Sequence, residues 1–322
     1  MHTRPFGKTG MEITPIGLGA WAIGGGNWQF GWGSQDDNES IATIHRAIDL
    51  GVNWIDTAAV YGLGHAEEIV GKALQGRGEK PYIFTKCERT WNERREIVPS
   101  LKAASIQREV EDSLRRLDVD VIDLYQIHWP QPEEDIEEGW STLVKLKEQG
   151  KVRAIGVSNF NVEQMERCKK YGPVETLQPP YSLLNRDAER DLLPYCERED
   201  IGVIAYSPMR SGLLSGRMTK ERVAQMPDDD WRKNDPDFQS PRLERNLELA
   251  KMLTEDIGFP HNVGAGVVAI AWVLSNPAVT GAIVGARHPN QIEDLLPAAE
   301  LRLSELELDQ IEQFMQKHPV QA

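Results

Sequence analysis

The sequence predicts a parallel (β/α)8 barrel built from one domain, residues 1–322. Three observations carry the prediction. Eight short apolar runs recur at fairly even spacing, at 16–18, 53–56, 82–86, 121–128, 153–157, 175–178, 203–206 and 282–284. Helical patterns fill the seven intervals between them, and such alternation implies a parallel sheet. The length suits one large core and no low-complexity linker divides the chain, so closure into a barrel is the natural answer. An open doubly wound sheet is the runner-up.

The elements follow in order. Residues 3–6 and 11–14 flank the turn Gly7-Lys8-Thr9-Gly10 and predict an opening β-hairpin. The first barrel run leads into Gly17-Leu18-Gly19-Ala20-Trp21-Ala22, which reads as a GxGxxA dinucleotide fingerprint. A working fingerprint needs an immediate helix and an acidic residue about twenty positions on. Here Gly24-Gly25-Gly26, Trp28 and Trp32 follow, so the segment is a loop. The second run ends on Asp56, with Tyr61 shortly after; the third ends on Lys86 and the fourth on His128. Between the third and fourth, Ile106, Val110, Leu114 and Leu117 recur at helical spacing ahead of a turn at Asp118. After the fifth, Asn161 and Gln164 form a capping-box signature. The interval between the seventh and eighth runs is long, with a Gly-rich start, a polar stretch at 228–236 and two helical patterns. Its apolar stretch, 263–274, is too short to span a bilayer and reads as a buried helix. Beyond the eighth run, Ser304 and Glu307 cap a last helix whose Leu308, Ile311 and Met315 face one way. Extra helices are therefore expected after strands seven and eight.

Composition narrows the function classes. With 40% hydrophobic and 27% charged residues the chain is globular. A net charge of -14 argues against nucleic acid and anionic membranes as partners and leaves a small molecule. No apolar signal region follows Met1-His2-Thr3-Arg4-Pro5, and Cys87, Cys168 and Cys196 read as reduced thiols in a cytoplasmic protein. There is no HExxH, CxxC pair or P-loop, and His65-Ala66-Glu67 matches only a fragment of a zinc-deaminase signature, so no metal is expected.

Charged groups at the ends of buried strands need a use. In a parallel barrel all such ends face one mouth, which would bring Asp56, Tyr61, Lys86 and His128 together. A free tyrosine, with a pKa of about 10, is a poor acid at neutral pH. A neighbouring lysine ammonium favours phenolate and would lower that pKa, and an aspartate would keep the buried lysine charged. A histidine can orient a carbonyl oxygen. The four make a proton donor for carbonyl reduction; the hydride must come from a nicotinamide.

The chain resembles the aldo-keto reductase superfamily over nearly its whole length. The resemblance lies in Gly17-Leu18-Gly19, Asp56-Thr57-Ala58-Ala59-Val60-Tyr61-Gly62, Phe84-Thr85-Lys86, Asp123-Leu124-Tyr125-Gln126-Ile127-His128-Trp129, Ile155-Gly156-Val157-Ser158-Asn159-Phe160 and Tyr206-Ser207-Pro208. Gln178-Pro179-Pro180-Tyr181 and Gly285-Ala286-Arg287 resemble the bacterial branch related to general stress reductases. The resemblance implies a TIM barrel, NADP(H), with NAD(H) as the other candidate, and binding of cofactor before substrate. It makes Tyr61 the acid, Lys86 and Asp56 its tuners and His128 the orienter. It places Ser158, Asn159 and Gln178 at the nicotinamide carboxamide and Tyr206 on the nicotinamide ring. Ser207, Met209, Gly212, Leu213, Ser215, Gly216 and Arg217 would form the pyrophosphate loop. Arg287 and Gln291 would grip the adenosine end, and Trp21 and Gly285 complete the cofactor set.

Trp21, Trp28, Trp32, Trp91, Trp129 and Trp231 fall in loops that would share the mouth and suggest an aromatic substrate pocket, suited to apolar carbonyls or sugar faces. Trp54, Trp140 and Trp272 are expected in the core. Only five residues, 318–322, follow the last helix, so the insertion at 88–101 and the loop at 228–236 are expected to cover the mouth. The favoured function is NADPH-dependent reduction of aldehydes or ketones. A sugar or polyol dehydrogenase and a non-catalytic nucleotide-binding regulatory subunit are the alternatives.

Overall fold

A computed structural model of the chain describes residues 1–78, 80–228 and 230–319. Asp229 of the polar stretch and Val320, Gln321 and Ala322 of the tail lie outside the described residues.

The hairpin pairs β1 (Arg4–Pro5) with β2 (Glu12–Ile13) around a 3-10 turn at Gly7–Thr9. Then come β3 (Ile16–Gly19), α1 (Asp37–Asp49), β4 (Trp54–Asp56), α2 (His65–Leu74) and β5 (Tyr82–Cys87). A two-stranded antiparallel ribbon, β6 (Arg89–Trp91) with β7 (Ile97–Pro99), occupies the insertion. Next are α3 (Ala103–Leu117), β8 (Ile122–Ile127), α4 (Ile136–Glu148), β9 (Val152–Ser158), α5 (Val162–Lys169), β10 (Thr176–Gln178), α6 (Leu192–Glu199) and β11 (Gly202–Ala205). The long interval holds α7 (Lys220–Ala224), α8 (Arg242–Met252) and α9 (Ala265–Ser275). The chain ends with β12 (Gly281–Gly285), α10 (Pro289–Leu295) and α11 (Glu305–Lys317).

Strands β3, β4, β5, β8, β9, β10, β11 and β12 pair in parallel and close into a barrel, β12 meeting β3 from Ala282↔Ile16 to Gly285↔Gly19. All eight expected runs are barrel strands, and the open-sheet alternative falls. The register sets Gly19 beside Asp56, Asp56 beside Phe84, and Ser158 beside Gln178. Functional groups on distant segments thus reach one rim at similar height.

The helices dock as their periodicity requires. Ile106, Val110 and Leu117 of α3 are buried, and Asp118 ends it in the left-handed region. Both capping boxes form, Asn161 with Gln164 and Ser304 with Glu307. Residues 265–274 of α9 are buried on every side. Among the described residues no single helix is long and apolar enough to cross a membrane.

One end of the barrel is plugged. Phe6 from the hairpin stacks on Phe84 at 5.7 Å, and Trp54 stacks on Phe84 at 5.3 Å, above Leu124 and Ile204. Burying one such side chain contributes about 1.5–3 kcal/mol. Gly17 belongs to this plug, since a Cβ there would lie 2.2 Å from the Trp54 ring. The glycine of the apparent fingerprint therefore makes room for an indole. Hydrophobic filling and the hairpin close this end, so the strand C-termini form the open mouth.

Candidate active site

Asp56 ends β4, Lys86 lies in β5, and His128 follows β8. Tyr61 sits in the turn between β4 and α2, where Gly62 has a φ of 62° and approaches Gly24 so closely that a Cβ would lie 2.3 Å from the Gly24 carbonyl oxygen. That contact brings the loop after β3, with its tryptophans, against Tyr61. The four expected residues do converge. Lys86 Nζ donates to Asp56 Oδ1 at 2.6 Å, to the Thr57 carbonyl at 2.9 Å and to Tyr61 Oη at 3.4 Å. Three donors find three oxygens, so the ammonium is satisfied although its side chain has no exposure. His128 meets the Tyr61 ring edge-on at 5.9 Å.

Burial sets the protonation states. It pulls Lys86 below its ordinary value, against the opposing pull of Asp56 and then Glu67. It pushes the Tyr61 phenol well above its ordinary value, helped by the Asp56 charge and Tyr206. This corrects the expectation that Lys86 would leave Tyr61 with a lowered pKa. In the closed barrel, desolvation above all, then the carboxylate, keeps the phenol protonated at neutral pH. His128 is held well below its ordinary value by burial, then Lys86 and Arg89, and is neutral. Its Nδ1 is buried without a partner, which leaves Nε2 as the nitrogen open to the cleft.

A cleft of 1140 Å³ runs from this group across the mouth. Asp56, Tyr61 and His128 line it, while Lys86 lies behind them. The next layer is wired to the tetrad. Gln178 Nε2 donates to Asp56 Oδ2 at 2.8 Å. Asn159 Nδ2 donates to the His128 carbonyl and to Ser158 Oγ, both at 3.0 Å, and Asn159 Oδ1 accepts from Tyr206 Oη at 2.8 Å. Ser158, Asn159, Gln178 and Tyr206 all face the cleft and could hold an amide-bearing aromatic ring.

Beyond β11, Ser207, Arg210, Ser211 and Gly212 have φ of 55°, 47°, 55° and 89°. A turn of this kind can present successive backbone amides to an anion. A Cβ on Gly212 would meet nothing within 4 Å, so its need is conformational. Ser207, Met209, Gly212, Ser215 and Arg217 line the cleft. Leu213 and Gly216 do not, contrary to expectation. Leu213 turns inward to pack with Val223, Phe238 and Leu243, and Gly216 closes the turn with a φ of 74°. Gly285, Arg287 and Gln291 line the far arm. Arg287 is already engaged there: Nε donates to Gln35 Oε1 at 2.7 Å, Nη1 to the Trp32 carbonyl at 3.4 Å and Nη2 to the Ser34 carbonyl. Gln291 Oε1 accepts the Arg287 amide at 2.7 Å. These features fit an extended dinucleotide.

Of the six mouth tryptophans, five line the cleft: Trp21, Trp28, Trp32, Trp129 and Trp231. Trp21 is central, 5.4 Å from Tyr61, 5.8 Å from Trp28 and 6.5 Å from Trp231. Trp91 does not line it. The ribbon carries Trp91 past the rim, where Arg116 of α3 lies over its ring at 5.9 Å. Trp54, Trp140 and Trp272 are core residues. Both expected covers reach the mouth, through Arg89 and Ile97 of the ribbon and Trp231 and Arg232 of the 228–236 loop.

Several participants escaped sequence reasoning. Phe30 lines the cleft and meets Trp21 at 6.5 Å; its place in the tryptophan-bearing loop was the available signal. Thr57 carries no sequence mark, because it acts through its carbonyl. Glu67 accepts from Thr85 Oγ1 at 2.6 Å and Arg116 Nε at 2.7 Å, a buried carboxylate beneath Lys86 that no local pattern announces. Among the described residues no cluster of three or more His, Cys, Asp or Glu could hold a metal ion.

Comparison with known proteins agrees with this geometry. Residues 15–316 match the model of the aldo/keto reductase family. The chain is 42% identical to the aldo-keto reductase YhdN of Bacillus subtilis, covering 92% of this chain and 88% of that one. It is 33% identical to the NADH-specific methylglyoxal reductase of Escherichia coli, covering 95% of each. Among solved structures, a glycerol dehydrogenase from Gluconobacter oxydans superposes with a TM-score of 0.90 at 39% identity, covering 99% of this chain and 97% of that one.

Proposed function

The chain belongs to the aldo/keto reductase family, and from that premise we propose that it reduces aldehydes or ketones to alcohols with NADPH, using Tyr61 as general acid. The observation that carries the reading is the hydrogen-bonded line from Asp56 through Lys86 to Tyr61, ending at the floor of an aromatic cleft.

Reduction of a carbonyl adds a hydride at carbon and a proton at oxygen. A reduced nicotinamide supplies the hydride when bound. Ser158, Asn159 and Gln178 would hold its carboxamide, Tyr206 would stack on its ring, and the amides after β11 would meet its phosphates. The remaining work belongs to side chains of this chain. Neutral His128, through Nε2, directs the carbonyl oxygen toward Tyr61 Oη. Tyr61 gives up its proton as charge develops on that oxygen. Lys86, already 3.4 Å away, stabilises the phenolate left behind, and Asp56 keeps Lys86 charged. The tryptophans exclude water and offer apolar walls to the substrate.

NADPH is favoured because Arg222 and Arg287 line the far arm with no ion pair to a described carboxylate. The 2′-phosphate would neutralise them. A second reading, polyol oxidation, draws on the relative named as a glycerol dehydrogenase, because the same groups serve the reverse reaction. Three buried, unpaired cysteines suit a reducing compartment such as the cytoplasm. The test is a panel of aldehydes and diketones with NADPH and with NADH, followed by loss of absorbance, and of polyols with the oxidised cofactors. Turnover of no carbonyl with either cofactor would reject the reading.

A further inference from the structure

We propose that Arg89 selects carbonyl substrates that carry an anionic group, carboxylate or phosphate, at the end remote from the reacting carbonyl. The inference rests on the reductase reading above and adds a substrate class to it.

Three of the six arginines that line the cleft are neutralised by aspartates. Arg210 holds Asp235 at 3.0 Å and Asp237 at 2.7 Å, Arg232 holds Asp230 at 2.6 Å, and Arg217 holds Asp294 at 2.6 Å. Arg222 and Arg287 have no such partner among the described residues, but they lie on the far arm, where a cofactor would use them. Arg89 stands on the substrate side, at the base of the ribbon. Its guanidinium lies 5.5 Å from the Trp129 ring centroid, and Nη2 donates to Gln131 Oε1 at 3.0 Å. Nη1 has no hydrogen-bond partner among the described residues.

The carboxyl beside Arg89 does not cancel its charge. Glu88 Oε2 makes only a long ion pair with Arg89 Nε, at 3.4 Å, and leaves Nη1 free. Glu88 is fully buried, its Oε1 has no partner, and its backbone holds a φ of 89°. Its amide donates to Glu109 Oε2 at 2.8 Å, which seats a second buried carboxylate against it. Two such groups side by side resist joint ionisation. Burial above all, against Arg89 and with Glu109, raises Glu88 to about 8, so at neutral pH it is an uncharged acid. Glu88 instead accepts the Trp129 amide at 3.1 Å and fixes the loop on which Arg89 stacks. The titratable and charged groups around it are Arg89 on the ribbon and Glu109 on α3, with Arg108 and Arg116 beyond Glu109; His128, just after β8, is neutral. The Arg89 guanidinium, with Nη1 free, therefore faces an aromatic cleft, and a guanidinium fork matches carboxylate or phosphate oxygens.

The experiment compares kcat/KM at pH 7 for 4-carboxybenzaldehyde and its methyl ester, and for glyceraldehyde 3-phosphate and glyceraldehyde, in the wild type, Arg89→Gln and Arg89→Lys. The quantity read is the anion-to-neutral ratio within each protein, so a general loss of activity cancels. The wild type should prefer the anion by about tenfold, mainly through KM. Arg89→Gln should abolish the preference and Arg89→Lys should retain part of it. Preference in one series alone tells carboxylate from phosphate. In the wild type the ratio should decline as pH rises through about 8, because ionised Glu88 then neutralises Arg89. A ratio near one in both series, or one unchanged by Arg89→Gln, overturns the inference. Failure of the neutral aldehydes to react would count against the reductase reading instead. Calorimetric binding of 4-(hydroxymethyl)benzoate against its methyl ester then reads the same selectivity without turnover.

Discussion

Gln178 and Asp56 are 122 positions apart in the chain, yet Gln178 Nε2 donates to Asp56 Oδ2 at 2.8 Å. Lys86 takes the other carboxylate oxygen at 2.6 Å. A residue proposed to hold the nicotinamide therefore shares its anchor with the proposed proton donor. In that proposal, cofactor seating and acid positioning are joined through one carboxylate.

That link gives the first prediction. Gln178→Ala should weaken cofactor binding and also lower kcat, because Asp56 loses a charge-assisted bond worth about 1.5–3 kcal/mol. Ser158→Ala, whose hydroxyl donates only to the Gln178 carbonyl, should affect cofactor binding with a smaller change in kcat. Fluorescence titration and single-turnover rates separate the two. Equal kcat in both variants would show that the Gln178–Asp56 bond does not position the acid.

Tyr61→Phe keeps the ring, which packs 5.4 Å from Trp21, and deletes the donor. Loss of a general acid costs about 10²–10⁴ in rate. Cofactor affinity should hold. Near-normal turnover would remove Tyr61 from the role.

Lys86→Met leaves the buried Asp56 carboxylate without its cation. Breaking such a pair costs about 3–5 kcal/mol of stability, read as a lower Tm. Asp56 already raises Tyr61, so loss of the opposing ammonium should move the alkaline limb of the kcat profile to higher pH while kcat falls. A limb that stays in place would mean that Lys86 does not tune the phenol.

Arg287 is expected to meet the 2′-phosphate while clasping residues 32–35 through Gln35, Trp32 and Ser34. Arg287→Ala should weaken NADPH by tenfold or more. NADH should weaken less, through the loosened clasp alone. Tryptophan quenching measures both. Equal weakening would leave the clasp as the whole contribution and withdraw support for NADP.

Stability should fall as pH rises across the neutral range. Burial raises Glu88 to about 8 and Glu109 to about 7, well above an unfolded carboxyl near 4.3. A raised carboxyl adds stability in full below its unfolded pKa, and that contribution is lost as pH climbs to the folded value. Tm should therefore decline from about pH 5 to about pH 8, and Glu88→Gln should flatten the decline. An identical slope in the variant would show that Glu88 titrates normally.

The sequence by itself determined the eight strands, both capping boxes and the identity of the tetrad. Each of these is a local matter: apolar runs of strand length, cap residues at N-cap and N3, and titratable groups at strand ends, which closure must bring to one mouth. The tertiary structure decided what depends on neighbours distant in sequence. It turned Trp91 outward onto Arg116 and Leu213 inward, because the ribbon leans on α3 and the loop needs an apolar anchor. It reversed the expected direction for Tyr61, because a pKa follows local solvation and charge, which burial within the closed barrel sets. It also tied Gln178 to Asp56 and seated Glu88 against Glu109, pairings that no spacing encodes. Periodicity states which side of an element is buried; only packing states what lies beside it.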